Sequence, residues 1–419
     1  MTILITIILT TLVVLVGMNF FTGEKRIEKK LEQSYEINDE QFLRSMSVLL
    51  GPPFLEGNEV KTLNNGDEIF AAMIQAIKGA EKTITFETFI YWNDSIGIEF
   101  AEALSERARA GVKVHVLLDW LGSVKMEEKQ LDQMRRAGVE IQRYHKPHWS
   151  HLPRLNNRTH RKILVIDGKL GFTGGVGIAD QWRGDARNPE EWRDSHFQIT
   201  GPAVAQLQAV FMDNWIKAQG RVLHGELYFP ALKSTGQLKA QVFSSSPTGG
   251  SDSMQLMYMM SITAAKQSID ISSAYFVPDE LTMTTLISAA KRGVKIRIIT
   301  PGKHIDTETV RKASRADWGK LLEAGIRIAE YEPTMYHCKI FIADNLLVSV
   351  GSTNFDNRSF RLNDEANLNI YDSKFASEQA EIFNEDWSHS HLITYQEWAN
   401  RPLTDKAMEN LAAILKTQL

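Results

Sequence analysis

No side chain in residues 1–23 is charged, and Ile3–Phe21 (ILITIILTTLVVLVGMNFF) runs almost wholly apolar until Glu24. At ~1.5 Å rise per residue a helix of this length crosses a bilayer core, so residues 1–23 are expected to form a transmembrane anchor. No Lys or Arg precedes the run and no A-x-A-like site follows it, which argues against a cleaved signal peptide. Residues 24–40 (EKRIEKKLEQSYEINDE) are polar and helix-prone, a juxtamembrane linker. From Phe42 to about Trp387 the pattern changes to short apolar runs of strand length alternating with helix-length stretches, the mark of an α/β fold with a largely parallel sheet.

This pattern occurs twice. Ala80–Asp94 (AEKTITFETFIYWND) matches Ala265–Asp279 (AKQSIDISSAYFVPD), both ending an apolar strand in aromatics and an Asp. Residues 107–119 (RARAGVKVHVLLD) match 288–301 (SAAKRGVKIRIITP), and 135–144 (RRAGVEIQRY) match 322–331 (LEAGIRIAEY). Three matches in the same order predict a duplicated α/β domain with pseudo-twofold symmetry, over residues 41–228 and 229–396. A site where the copies meet would draw equivalent residues from each. In the tail, residues 397–419, Leu403, Ala407, Met408, Leu411 and Leu415 share one helical stripe, expected to pack on the second domain, with the membrane interface as the alternative.

A net charge of −4, from 47 basic and 51 acidic residues, gives no global field for nucleic acid, so no nucleic-acid partner is expected. The single cysteine, Cys338, excludes an internal disulfide and a Cys-rich metal site. Lys25, Arg26, Lys29 and Lys30 follow the anchor and put the globular part on the cytoplasmic side of the inner (plasma) membrane.

The fourth match carries chemistry: His160-Arg161-Lys162 with Asp167, and His337-Cys338-Lys339 with Asp344, both H-x-K-x4-D. A strand's period of two puts each His and Lys on one face, with Cys338 turned into the core. Asp167 and Asp344 complete the motif, but at an odd spacing and in turn dipeptides (Asp167-Gly168, Asp344-Asn345), so they read as mainly structural. Two facing His–Lys pairs suit phosphoryl transfer: one neutral imidazole attacks phosphorus, the other, protonated, serves the leaving oxygen, and two ammonium groups offset the charge.

These residues resemble the phospholipase D superfamily and, within it, the bacterial cardiolipin synthases. The stretches that carry the likeness are NRTHRKILVIDGKLGFTGGVGIADQW, ISSAYFVPDE and MYHCKIFIADNLLVSVGSTNFDNRSFRLNDEANLNIYD. The resemblance implies His160 as nucleophile and His337 as general acid. It extends the second motif through Gly351-Ser352-Thr353-Asn354, with Ser352 and Asn354 as phosphate-binding residues. The first copy departs from it: Gly174-Gly175-Val176-Gly177 has glycine where Asn is expected. It further implies that Asp194 and Glu365 orient the histidines, which fixes a ring's tautomer and raises the basicity of its other nitrogen. Implied function is transfer of a phosphatidyl group between two phosphatidylglycerol molecules, with no metal or other cofactor. A phospholipase D using water as acceptor is the alternative, and the donor lipid and oligomeric state stay open.

Three further features stand out. His145, His148 and His151 have metal-like spacing, but Pro147 and Pro153 make an irregular loop, which with Trp149 is expected to rim the site. Arg154, Arg158, Arg161, Lys303, His304, Arg311, Lys312 and Arg315 are candidates for an anion-attracting entrance. Glu87 matches a family position near the site, with a buried structural carboxylate equally open.

Overall fold

The computed structural model describes residues 27–32, 35–146, 156–247, 253–416 and 418, with positions 5, 6, 10 and 14. The expected anchor lies mostly outside the described residues; among those described, no helix is long and apolar enough to cross a membrane.

The strands are β1 (Leu55–Asn64), β2 (Thr83–Thr88), β3 (Lys113–Asp119), β4 (Glu140–Tyr144), β5 (Arg158–Thr159), β6 (Ile163–Ile166), β7 (Leu170–Gly174), β8 (Ser195–Thr200) and β9 (Leu238–Ser245). They continue with β10 (Ser268–Ser273), β11 (Phe276–Val277), β12 (Lys295–Pro301), β13 (Arg327–Tyr331), β14 (Lys339–Ala343), β15 (Leu347–Gly351), β16 (Phe355–Asp356), β17 (Asn363–Tyr371) and β18 (Ser390–Ile393). Apart from the β11–β16 pair they form one sheet, with β1 and β9 side by side at its centre. Outward from β1 come β8, β7, β6, β2, β3 and β4; outward from β9 come β17, β15, β14, β10, β12, β13 and β18. The halves run in the same order, so a pseudo-twofold axis passes between β1 and β9.

The sheet is mixed, which corrects the expectation of a largely parallel one. Within each half only the outer strands pair in parallel, β2–β3–β4 and β10–β12–β13. The inner ones are antiparallel because β6 and β14 turn straight back. At these turns Asp167 and Gly168 have φ of 55° and 65°, and Asp344 and Asn345 have 52° and 50°, as a two-residue type I′ hairpin requires. The parallel crossovers use helices Ser95–Arg109 and Glu280–Lys291, each followed by a glycine, Gly111 or Gly293, at φ 94° or 97°. Their N-caps are the Asp residues that end the repeated segments: Asp94 accepts from Gly97 N and Asp279 from Thr282 N.

Each half has its own apolar layer, one around Phe86, Phe100 and Leu131, the other around Ile298, Trp318 and Phe341. A third layer is shared. Val165, Phe197, Phe211 and Trp215 of the first copy pack with Val348, Leu368 and Phe375 of the second. This common core fixes one copy against the other, and with it any site at the join.

The tail helix Leu403–Ala413 overturns the expected inward stripe. Leu403, Ala407, Met408, Leu411 and Leu415 are all exposed, while Glu409 and Ala412 are buried. Glu409 is drawn in by Arg315 and Arg401, and Ala412 packs beside Val277, Val310 and Ala313. The inner face thus carries the doubly paired carboxylate and a small alanine, and the apolar stripe lies outward.

Candidate active site

The two motifs meet where the halves cross over. β5 pairs in parallel with the start of β17, and His160 N donates to Asp364 O at 2.9 Å. On the other side Arg193 bridges Tyr336 in parallel, and His337 N donates to Arg193 O at 2.7 Å. Each histidine is therefore stitched by its backbone to the opposite half.

The side chains cross in the same way. His160 Nδ1 lies 3.0 and 3.1 Å from the carboxylate oxygens of Glu365, and His337 Nδ1 lies 2.7 Å from Asp194 Oδ2. Both carboxylates are fully buried, while His160 and His337 keep 12% and 8% of their side chains exposed, toward a shared cavity. Lys162 Nζ donates to His160 O at 2.8 Å and Lys339 Nζ to His337 O at 2.6 Å. Lys339 Nζ also lies 3.0 Å from Nδ1 and 3.2 Å from Nε2 of His337. No described residue bonds to His160 Nε2.

Burial dominates the protonation states. It lowers His160 to about 4 and His337 to about 3, against the upward pull of Glu365 and Asp194. Lys162 falls to about 7 for the same reason, and Lys339 is lowered too. For Asp194 and Glu365 burial is outweighed by the neighbouring histidines and lysines, and both stay below the ordinary carboxylate range. At neutral pH the imidazoles are thus neutral, each directed by an ionised carboxylate.

The cavity measures about 440 Å³. Of the residues expected from sequence it brings together His160, Lys162, His337 and Asn354, with Lys339, Asp194, Glu365 and Ser352 directly behind them. The motif aspartates, which complete the H-x-K-x4-D pattern, are not there. At the far ends of β6 and β14, Asp167 accepts from the N–H groups of Glu81, Lys82 and Thr83, and Asp344 from those of Lys266, Gln267 and Ser268. They clamp the hairpins that aim each His-x-Lys.

The expected basic entrance is mostly dismantled. Arg161 is wholly buried, bonded to the carbonyls of Val210, Ser245 and Glu365 and paired with Asp213. Arg311 and Arg315 pair with Glu330. From that group Arg158 lines the cavity, joined by Lys125 and Arg358, which sequence reading missed. Glu87 sits behind the site, accepting from Thr159 Oγ1 and from Asn214 Nδ2 at 2.7 Å, and burial raises it to about 7. His145 bonds Asp364 at 3.1 Å; His148, Trp149, His151 and Arg154 lie outside the described residues.

The glycines of the first copy have a structural explanation. Trp182 Nε1 donates to Asp194 at 3.0 Å, whereas in the second copy Ser352 Oγ donates to Glu365. A Cβ on Gly175, the position matching Ser352, would stand 2.2 Å from Asp194 Oδ1. One on Gly177, matching Asn354, would stand 2.7 Å from Ile90 Cβ and 3.1 Å from the Trp182 ring. The indole replaces the serine hydroxyl; the Asp194 carboxylate leaves no room for a Cβ at Gly175, and Ile90 with the indole leaves little at Gly177.

Also missed were Tyr275 and Asp306, which line the cavity with Lys125, Trp182 and Trp192. One usable signal existed: Lys125 and Asp306 lie just beyond the carboxyl ends of parallel strands β3 and β12, where open α/β sheets bind ligands.

Known proteins match along most of the chain. A family model described as "Cardiolipin synthase, PLD-like domain" matches twice, at residues 73–212 and 258–387. The cardiolipin synthase of Geobacillus kaustophilus is 36% identical over 370 residues, 88% of this chain and 74% of the relative. Cardiolipin synthase A of Pseudomonas syringae is 36% identical over 356 residues, 85% of this chain and 74% of that one. A phosphatidylserine synthase of Haemophilus influenzae superposes with a TM-score of 0.69 at 16% identity, covering 91% of this chain and 100% of that one, a likeness of fold.

Proposed function

The chain belongs to the cardiolipin synthase family of phospholipase D-like phosphatidyltransferases, and from that premise we propose that it joins two phosphatidylglycerol molecules into cardiolipin and glycerol through a phosphohistidine. The observation that carries this reading is the crossed arrangement: two imidazoles in one cavity, each held at Nδ1 by the carboxylate of the other half. That leaves Nε2 of each ring for chemistry.

His160 is the nucleophile. Its Nε2 has no bond to any described residue, whereas both ring nitrogens of His337 lie within 3.2 Å of Lys339 Nζ. His160 Nε2 attacks phosphorus, the bond from phosphorus to the head-group oxygen breaks, and that oxygen takes a proton from His337 as glycerol leaves. A hydroxyl of a second phosphatidylglycerol then attacks phosphorus and passes its proton to His337, and the P–N bond electrons return to His160. Entry of the phosphodiester anion raises the basicity of His337 for this cycle. Lys162, Lys339 and Asn354 bind the non-bridging oxygens.

The 440 Å³ cavity suits a phosphodiester and a small head group, so the acyl chains stay outside, in a bilayer. Residues 1–23 anchor the chain there, with the positive residues after them keeping the domains, 41–228 and 229–396, on the cytoplasmic side. The test is purified protein with acyl-labelled phosphatidylglycerol. Cardiolipin and glycerol should form in equal amounts, and quenched samples should carry label on His160. Phosphatidic acid in place of cardiolipin makes water the acceptor and rejects the transferase reading.

A further inference from the structure

The transfer chemistry leaves several polar groups on the cavity wall unused, and one of them is a carboxylate, Asp306. Ser273 is the sheet partner of Lys339. Two residues on, Tyr275 donates its hydroxyl to both carboxylate oxygens of Asp306, at 2.8 and 2.7 Å. Asp306, exposed in the loop behind β12, lines the same cavity as His337.

A carboxylate in a pocket for a phosphodiester repels the phosphate, so it must serve another part of the substrate. Ionised, it only accepts hydrogen bonds; its ligand brings O–H or N–H donors. The first half has no such group. There Ile90 stands where Tyr275 stands in the second, and the loop behind β3 offers Lys125, whose ammonium lies 3.4 Å from the centre of the Trp92 ring. The first half's wall is apolar and cationic there, beside Phe89, whose ring centre is 5.4 Å from that of His160, and the second half adds a cation of its own, Arg358. The other side offers an acceptor, with Trp182 and Trp192 at 5.2 and 5.4 Å from His337 as flat walls.

We propose that Asp306, held by Tyr275, is the head-group subsite, its carboxylate accepting from the free hydroxyls of the glycerol of phosphatidylglycerol. The inference rests on the transfer reading, in which His337 serves the departing glycerol oxygen. The same subsite then orients the glycerol of the attacking lipid, because that hydroxyl returns its proton to His337.

The experiment compares two donors in detergent micelles, phosphatidylglycerol and phosphatidylmethanol, whose head group has no hydroxyl, by the single-turnover rate of head-group release, a step that needs no acceptor. In the wild type that rate should favour phosphatidylglycerol by about tenfold or more, the scale of a lost hydrogen bond to a charged group. In Asp306→Ala that ratio should fall to near one, and in Tyr275→Phe it should fall part of the way. A wild-type ratio near one overturns the proposal, and so does a wild-type-like ratio in both variants, whatever their absolute rates. A preference for phosphatidylethanolamine over phosphatidylglycerol that Asp306→Ala removes overturns the glycerol assignment in favour of an ammonium. Failure of the transfer reading is seen separately, as phosphatidic acid in place of cardiolipin with the donor ratio still measurable.

Discussion

The two halves hold their histidines alike and surround them differently. In both, a His-x-Lys strand turns at an Asp whose carboxylate gathers three N–H groups, and the imidazole is held by a carboxylate from across the join. Around these shared parts the first half puts Gly175, Gly177 and Trp182, and the second puts Ser352 and Asn354. The first half ends in Phe89, Trp92 and Lys125, the second in Tyr275 and Asp306. On the proposed phosphohistidine route the same bond change runs forward and back, which the shared parts would serve, while the differing parts would separate the two sides of the phosphorus.

The sharpest way to break this comparison is to remove each histidine. His160→Ala should lose at least about 10⁴-fold in transfer, and His337→Ala about 10²–10⁴-fold, the range of a general acid. With a nitrophenyl ester of phosphatidic acid, whose leaving group needs no proton, His337→Ala should still label His160. Label on His337 in His160→Ala would reverse the roles.

Next come the crossed carboxylates. Glu365→Gln and Asp194→Asn should each cost about 10–100-fold. Glu365→Gln should slow labelling with either leaving group, since Glu365 holds His160, the proposed nucleophile. Asp194→Asn should slow it with glycerol and spare the nitrophenyl ester. If the two variants trade these phenotypes, the crossing does not govern function.

Smaller effects belong to the parts that differ. Trp182→Phe and Ser352→Ala each remove one donor to a buried carboxylate and should lower kcat about tenfold. Restoring symmetry with Gly177→Asn should destabilise the protein by about 1–3 kcal/mol, because the new side chain meets Ile90 and the Trp182 ring. A thermal melt equal to wild type would show that the indole can move aside.

The gentlest change is in pH. His160, held to about 4, is already neutral at pH 5, while Lys162, held to about 7, loses its charge as pH rises through 7. His337, the proposed acid, is held to about 3 and must gain a proton before it acts, so kcat/KM should fall as pH rises from 5 and fall more steeply above 7. An acid limb near the ordinary histidine value of ~6.5 would contradict the burial of His160. Stability should move the other way. The depressed histidines and carboxylates take up protons in the unfolded chain first, so their contribution to stability is complete above ~6.5 and is lost as pH falls toward 4.

Much of the site was legible in sequence because the motif is local. His160 with Lys162 and His337 with Lys339 need only the strand period to share a face, and Asp167-Gly168 announces its turn by composition. The strands β2, β3, β10 and β12 fall inside the matched repeats for the same reason. Directions were harder to read. The inner strands are antiparallel although the helix–Gly–strand wording suggested parallel neighbours, since pairing direction depends on which strands become adjacent. The tail stripe was assigned inward on periodicity alone, and the Glu409 ion pairs turned it outward.

What the sequence determined by itself was the duplication, the two His-x-Lys pairs and their structural aspartates, all properties of residues within a few positions of one another. Only the tertiary structure decided which carboxylate holds which histidine, that Arg161 is a buried strut, and that Asp306 lines the cavity the two histidines share. Glu365 and His160 are far apart in the chain, and their contact exists because β17 runs beside β5 across the pseudo-twofold axis. Side-chain spacing along one strand is a property of the backbone's own geometry. Contact across a shared core depends on how two folded halves bury their apolar faces against each other, and no short stretch of either half contains that information.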